Sequence, residues 1–227
     1  MNRDGTDNTT PHAASDYERE VLRTVPFHEE ILAQAIETGL AARLAPRFWL
    51  DTGCGPGKLV ELAKARCSAQ FTLADPSQEM LAIARTRNPH LPPERFLHAP
   101  SQDLPDVGPF DVITAIQCHH YGNSDARERA VARCFERLAP GGAFVVFENV
   151  RAESDAAQAM VRERWLMWLR RQGHDDAGAR ALIAREGTKY FPIRVSEHLE
   201  VLRRAGFSLV ELIWRSYAQA GFVCTKA

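Results

Sequence analysis

The sequence contains no closely spaced cysteine pair, although it has five cysteines among its 227 residues. They are scattered at positions 54, 67, 118, 134 and 224, and no Cys-x-x-Cys unit occurs. An odd, dispersed set excludes a disulfide framework and gives no zinc-binding pattern. We therefore expect no metal site and a reducing compartment, the cytoplasm.

Long apolar runs and an excess of either charge are also missing. No apolar segment approaches the roughly 18 residues that a membrane span requires, and the N-terminal residues lack the apolar core of a secretory signal. We expect neither a leader peptide nor a membrane partner. Lys and Arg total 28 against 29 Asp and Glu, so the net charge gives no reason to expect general nucleic-acid binding.

The length and the 45% of hydrophobic residues suit one mid-sized α/β domain. Residues 1–15 are polar and turn-prone, which predicts a mobile tail. Residues 16–227 are predicted to form a single domain that begins with two helices in 16–45. A helical insert over 151–187 carries two tryptophans among arginines. It is either a lid over an aromatic or anionic acceptor, or an amphipathic helix with its aromatic face in the core.

After residue 46, short apolar segments alternate with helical ones, the pattern of a parallel sheet wrapped by helices. The predicted strands are 48–51, 71–75, 96–99, 110–116, 143–148, 207–214 and 220–225. The predicted helices between and after them are 57–66, 77–87, 125–138 and 196–205. Ser77 and Ser124 are the predicted N-caps of the second and third of these helices.

A glycine-rich turn follows the first predicted strand, in the stretch Asp51-Thr52-Gly53-Cys54-Gly55-Pro56-Gly57. Three missing side chains let the backbone approach a ligand closely. A dinucleotide-binding turn would place its third glycine at position 58, where this chain has Lys58. The Asp51 carboxylate would repel a pyrophosphate but attract an ammonium group. Both features favour S-adenosylmethionine over NAD as the ligand, and NAD-dependent oxidation remains a minor alternative.

Polar residues follow the next two predicted strands. Asp75 ends the second strand, where a carboxylate can accept hydrogen bonds from both hydroxyls of a ribose. Ser101 and Gln102 follow the third strand, at the place expected for an adenine amino group. Read in order along the chain, these residues predict an adenosine-binding edge.

These motifs, together with Phe110-Asp111-Val112 and Leu138-Ala139-Pro140-Gly141-Gly142, resemble those of class I S-adenosylmethionine-dependent methyltransferases. The resemblance covers about residues 46–150. It implies a Rossmann-like, seven-stranded sheet with helices on both faces, an antiparallel last strand, and a cofactor across the carboxyl ends of the first strands. The residues predicted to bind S-adenosylmethionine are Asp51, Gly53, Cys54, Gly55, Asp75, Pro76, Ser101, Gln102 and Gln117.

Two shorter stretches are similar to carboxy-S-adenosylmethionine synthases, a group associated with tRNA wobble-uridine modification. They are Arg23-Thr24-Val25-Pro26 and Leu202-Arg203-Arg204-Ala205-Gly206-Phe207. This similarity adds an enzyme of that type as an alternative to methylation of a small-molecule acceptor. A non-catalytic protein that binds S-adenosylmethionine or S-adenosylhomocysteine is a further alternative.

His119 and His120 are the predicted catalytic residues, since they follow the fourth strand near the expected methyl group and titrate near neutral pH. The competing interpretation is that one histidine packs in the loop while the other is exposed. Methyl transfer needs alignment of the acceptor and, for some acceptors, removal of a proton. The sequence does not decide between a monomer and a homodimer.

Overall fold

The structure is a computed structural model that describes residues 10–227, and within them the chain forms eight strands and eight α-helices. The strands are β1 Phe48–Thr52, β2 Gln70–Asp75, β3 Phe96–His98, β4 Phe110–Ile116, β5 Leu138–Arg151, β6 Ile193–Arg194, β7 Leu209–Ser216 and β8 Gln219–Thr225. The helices are α1 Tyr17–Thr24, α2 His28–Ala42, α3 Lys58–Ala63, α4 Gln78–Arg87, α5 Ser124–Arg137, α6 Asp155–Arg171, α7 Asp176–Ile183 and α8 Val195–Arg204.

The sheet order is β3-β2-β1-β4-β5-β8-β7, with the two-residue strand β6 pairing with β5 outside this path. Strands β1 to β5 run parallel, and β8 is antiparallel to both β5 and β7. The predicted α/β sheet with its last strand antiparallel is therefore confirmed. Strand β6 was not predicted, because two residues are too short to show a periodic pattern.

Helices cover both faces of the sheet because the parallel strands are apolar on both sides. One core cluster joins α2, α3 and α4 to the sheet, with Ile36, Val60 and Leu81 among its buried residues. The other joins α5 and α8 to the opposite face, through residues such as Val131 and Leu202. The order of the strands then places the carboxyl ends of β1, β2 and β4 side by side.

The helix starts agree with the predicted capping at one position and not at the other. The Ser77 hydroxyl accepts a hydrogen bond from the Met80 N–H, as a cap of α4. The predicted cap Ser124 is wrong, since the Asn123 side chain accepts from the Ala126 N–H at the start of α5. Asn and Ser cap helices about equally well, so adjacent candidates are not separated by residue type.

Helix α1 is joined to the insert that contains α6 and α7. The Trp165 Nε1–H donates to the Thr24 carbonyl (3.0 Å), and the Arg23 Nε–H donates to the Gln172 carbonyl (3.2 Å). Residues 10–15 form turns before α1, where a ring nitrogen of His12 lies 3.1 Å from the Thr24 hydroxyl. The rest of the predicted mobile tail, residues 1–9, lies outside the described residues. Over residues 10–227, no helix has the length and apolarity to cross a membrane.

Candidate functional site

The turn after β1 is shaped by glycines with left-handed backbone angles. Gly53, Gly55 and Gly57 have φ values of 65°, 51° and 75°. A Cβ on Gly53 would lie 2.4 Å from the Cβ of Cys118, whereas one on Gly55 would meet nothing within 4 Å. The first glycine therefore lets the loop after β4 pack closely, and Gly55 leaves open space beside the turn.

Asp75 at the end of β2 is fixed by the same turn. Its carboxylate accepts from the Gly55 N–H (2.8 Å) and from the Ser77 N–H (2.9 Å). These two bonds orient the carboxylate between the glycine turn and the start of α4. A carboxylate has about four acceptor sites, so ribose hydroxyls can share it with backbone N–H groups.

Asp51 is buried at the base of the turn. The Thr114 hydroxyl donates to its Oδ1 atom (2.7 Å). The pKa of the Asp51 carboxyl is raised to about 7, mainly by burial; the Thr114 hydrogen bond opposes this rise and the charge of Asp75 adds to it. Asp51 is thus a carboxyl group whose charged form would be stabilised by an approaching cation.

The largest opening at this edge of the sheet is a cavity of about 350 Å³, here called the first cavity. It is lined by seven of the predicted cofactor residues and by one predicted catalytic residue: Gly53, Gly55, Asp75, Pro76, Ser101, Gln102, Gln117 and His119. The structure therefore brings together residues from four separate segments that the sequence analysis had grouped.

A second cavity of about 330 Å³ adjoins the first and holds the other two predicted cofactor residues, Asp51 and Cys54. It lies between the glycine turn and the helices α1 and α2, with His28 in its wall. A third cavity, of about 50 Å³, lies between α1, the insert and the ends of β4 and β5. Tyr17 lines all three.

The two predicted catalytic histidines sit on a buried carboxylate. Glu148, with 0% of its surface exposed, accepts from the backbone N–H groups of His119 and His120, both at 2.9 Å. His120 Nδ1 lies 2.6 Å from the same carboxylate, and its Nε2 lies 3.3 Å from the Asn149 amide nitrogen. Burial opposes the charge of Glu148, but His120 and its neighbours lower the carboxyl pKa to about 2.

Neither histidine offers a nitrogen atom to the cavity surface. Both ring nitrogens of His119 are buried without a hydrogen-bond partner, and its ring stacks on Phe144 with centroids 6.2 Å apart. Burial lowers the pKa of the His119 imidazole. His120 is 1% exposed and lines none of the three cavities. The base role stays a prediction, and the geometry favours a scaffold role for the pair.

Gln117 has the least ordinary backbone at the site, with φ at 55° although it is not glycine. Such a conformation costs of order 1–3 kcal/mol and is concentrated at functional sites. Its side chain is 8% exposed, and neither amide atom has a hydrogen-bond partner. Because Gln117 lines both the first and the third cavity, its amide is placed to form hydrogen bonds with a ligand bound there.

Two tyrosines of the site were missed by the sequence analysis. Tyr17 begins α1, and Tyr121 follows the histidine pair; both line the first and third cavities. Their only sequence signal was position, since Tyr121 lies in the loop after β4 and Tyr17 starts an amphipathic helix. In the part of the chain that the structure describes, no group of three His, Cys, Asp or Glu residues is arranged to hold a metal ion.

Comparison with known proteins gives a match between residues 50–142 and a methyltransferase domain family. Carboxy-S-adenosyl-L-methionine synthase from Campylobacter lari is 22% identical over 95% of this chain and 92% of its own length. Demethylmenaquinone methyltransferase from Thermus thermophilus is 34% identical over 56% of this chain and 58% of its own length.

Solved structures share the fold. A possible histamine N-methyltransferase from Thermotoga maritima superimposes with a TM-score of 0.61 and 18% identity, covering 94% of this chain and 95% of that one. Magnesium protoporphyrin IX methyltransferase from Synechocystis, with bound S-adenosylhomocysteine, gives a TM-score of 0.63 and 12% identity. The match covers 90% of this chain and 86% of that one. The similarity to both structures extends over nearly the whole described chain.

Proposed function

This chain belongs to the class I S-adenosylmethionine-dependent methyltransferases, and we propose that it methylates a small-molecule acceptor held beside the glycine turn. The observation that carries the proposal is the first cavity, which joins Asp75, the glycine turn and the Gln117 amide in one enclosure. The adjoining third cavity has a volume of only about 50 Å³ and is lined by protein side chains, which suits a small acceptor better than a macromolecular strand.

The residues present fit S-adenosylmethionine. Gly55 leaves open space where a side chain would stand, and two backbone N–H groups orient the Asp75 carboxylate at the same turn. We propose that Asp75 accepts from the ribose hydroxyls, that Ser101 and Gln102 contact the adenine, and that Asp51 stabilises the methionine ammonium. Cys54 and Pro76 would then pack against the bound molecule.

When bound, S-adenosylmethionine would supply a methyl group to an acceptor atom that attacks in line with the carbon–sulfur bond, with S-adenosylhomocysteine as the leaving group. The protein contributes orientation, because holding two reactants in an attack geometry removes much of the entropic barrier. Tyr17, Gln117 and Tyr121 separate the first and third cavities and would align the acceptor there. Removal of a proton, where an acceptor requires it, stays assigned to His119 or His120 as a prediction.

The runner-up is an enzyme of the carboxy-S-adenosylmethionine synthase type, supported by a relative of that name that aligns over nearly the whole chain. Radiolabelled methyl transfer into a metabolite extract, compared with transfer into bulk tRNA, tests the proposal. Label in a low-molecular-weight product other than S-adenosylmethionine or its carboxylated form supports it. Label in tRNA alone, or a carboxylated cofactor without methyl transfer, would refute it in favour of the runner-up.

The affinity for S-adenosylmethionine should depend on pH through Asp51. The free carboxyl has a pKa of about 7, and a bound ammonium favours its charged form, which lowers the pKa in the complex. Affinity should therefore be constant above pH 7 and fall by up to about tenfold per pH unit below it. Calorimetric titration from pH 5.5 to 8 measures this. A slope that persists in Asp51→Asn would assign the titration to another group.

Replacing Gly53 or Gly55 with alanine should have different effects on stability and on binding. Gly53→Ala places a Cβ 2.4 Å from Cys118 and should lower the free energy of unfolding by roughly 2 kcal/mol or more. Gly55→Ala meets no atom, so it should cost only about 1 kcal/mol for the backbone conformation while weakening S-adenosylmethionine binding at least tenfold. Thermal unfolding and titration separate the two effects. Equal binding by wild-type and Gly55→Ala would remove Gly55 from the proposed site.

A further inference from the structure

The first and second cavities meet at the glycine turn. Four residues line both of them: Tyr17, Gly53, Gly55 and Ile116. Glycine has no side chain, so among the described residues only Tyr17 and Ile116 present a side chain at this boundary. Ile116 is aliphatic, whereas the faces of the Tyr17 ring carry partial negative charge. The boundary between the two cavities therefore has one electron-rich side chain.

The third cavity meets the other two at the same tyrosine. Val21 lines the second and third cavities, and Thr10, Gln117 and Tyr121 line the first and third. Over residues 10–227, Tyr17 alone lines all three. An acceptor atom that approaches from the third cavity therefore reaches the boundary between the first and second cavities beside Tyr17.

The covalent structure of the cofactor places its sulfonium at this boundary. In S-adenosylmethionine, the sulfur joins the ribose to the chain that carries the ammonium group. Asp75, the proposed partner of the ribose, lines the first cavity, and Asp51, the proposed partner of the ammonium, lines the second. A molecule that reaches both carboxylates has to cross the boundary, with its sulfonium between them.

Helix α1 is fixed to the glycine turn beside Tyr17. The neighbouring Glu18 carboxylate pairs with Lys58 (3.6 Å), which directly follows the turn, and with Arg87. The Arg87 guanidinium also donates to the Pro56 carbonyl within the turn (3.2 Å). Because these contacts tie the start of α1 to the turn, they hold Tyr17 at the junction of the cavities.

Tyr17 is a neutral phenol near neutral pH. Burial raises the pKa of its hydroxyl, and the nearby Tyr121 and Asp75 raise this pKa further. A cation over the ring is therefore attracted by the ring quadrupole and not by a phenolate charge. This attraction is stronger where water is excluded than at an exposed site.

From these observations we propose that the ring of Tyr17 contacts the sulfonium of bound S-adenosylmethionine and favours this cation over the neutral thioether of S-adenosylhomocysteine. The role rests on the proposed function, since it assigns a residue to the reacting centre of that same site. Transfer of the methyl group leaves the sulfur without charge, so the attraction to Tyr17 is lost. Tyr17 therefore favours binding of the methyl donor and release of the product.

Calorimetric titration of the full chain with S-adenosylmethionine and with S-adenosylhomocysteine tests the proposal, because these ligands differ by one methyl group and one positive charge. Tyr17→Leu and Tyr17→Met both remove the ring. Each should weaken binding of S-adenosylmethionine about tenfold and that of S-adenosylhomocysteine less than about threefold. Tyr17→Phe keeps the ring and should keep the wild-type ratio of the two affinities. Sinefungin, which carries an ammonium group in place of the methylated sulfur, should follow S-adenosylmethionine in every variant.

Tyr217→Leu is the matched control, since Tyr217 lines none of the three cavities, and it should bind both ligands like wild-type. Melting temperatures show which variants are folded. Absence of binding of both ligands to wild-type would contradict the proposed function itself. Normal wild-type binding, with equal losses for both ligands or with no loss when the ring is removed, would overturn only the sulfonium contact. A ratio in Tyr17→Phe as low as in Tyr17→Leu would also overturn it.

Discussion

Replacing Glu148 with alanine is expected to lower the free energy of unfolding by about 3–5 kcal/mol. The carboxylate is fully buried and accepts from two consecutive backbone N–H groups and from the His120 ring. Alanine would leave these donors in the interior without acceptors, each at a cost of about 1–3 kcal/mol. The loop that carries His119, His120 and Tyr121 should therefore lose its fixed position along with stability.

Denaturant unfolding monitored by circular dichroism measures this loss. Glu153→Ala is the matched control. Glu153 is exposed, and within the described residues its hydrogen bonds go only to Ser196. Its replacement should lower the free energy of unfolding by less than about 1 kcal/mol. The pKa of Glu148 is lowered in the folded protein to about 2. Its stabilisation is therefore present above the unfolded pKa of 4.5 and is lost as pH falls toward 2. A Glu148→Ala protein as stable as the control would show that the buried network does not support the loop.

Replacing Asp75 with alanine should weaken S-adenosylmethionine binding by about 10²–10⁴-fold. Two hydrogen bonds from ribose hydroxyls to a carboxylate contribute about 1.5–3 kcal/mol each, and 1.4 kcal/mol corresponds to about tenfold in affinity. The substitution also removes the acceptor of the Gly55 and Ser77 N–H groups, so a fall in melting temperature should accompany the loss.

Asp103→Ala provides the comparison for Asp75. Asp103 belongs to the same edge of the sheet, in the turn with Ser101 and Gln102, but its side chain is exposed. The affinity of Asp103→Ala for S-adenosylmethionine should therefore equal that of wild-type. Asp75→Asn keeps one acceptor oxygen and should fall between Asp75→Ala and wild-type. Binding by Asp75→Ala within threefold of wild-type would remove the ribose role from this carboxylate.

The sheet could be predicted because each of its longer strands coincides with a short, mainly apolar segment of the sequence. Strand β4 begins and ends where the apolar run 110–116 does, and β2 ends at Asp75 as predicted. The turn after β1 requires glycines and a ribose-binding position requires an acid, so residue type alone identified both. Their proximity then followed from the order of the parallel strands. Strand β5 is longer than predicted, from Leu138 to Arg151, because Leu138 pairs with Phe110 of β4 at its start and Val150 and Arg151 pair with β6 at its end.

The rest of the site depends on contacts that sequence spacing does not encode. Glu148 holds a histidine 28 residues away, and Trp165 meets Thr24 across 141 residues. A histidine pair after a strand has the same appearance whether its nitrogens face a ligand or a buried carboxylate. The third cavity could not be predicted, because its wall is assembled from α1, the insert and two strand ends; the role of the insert as a lid stays a prediction.

Calorimetric titration of the wild-type chain with S-adenosylmethionine, and separately with NAD, is the most direct test of the central claim. The glycine turn, Asp51 and Asp75 predict saturable binding of S-adenosylmethionine at one site per chain, with no heat from NAD under the same conditions. Saturable NAD binding, with none for S-adenosylmethionine, would contradict the account.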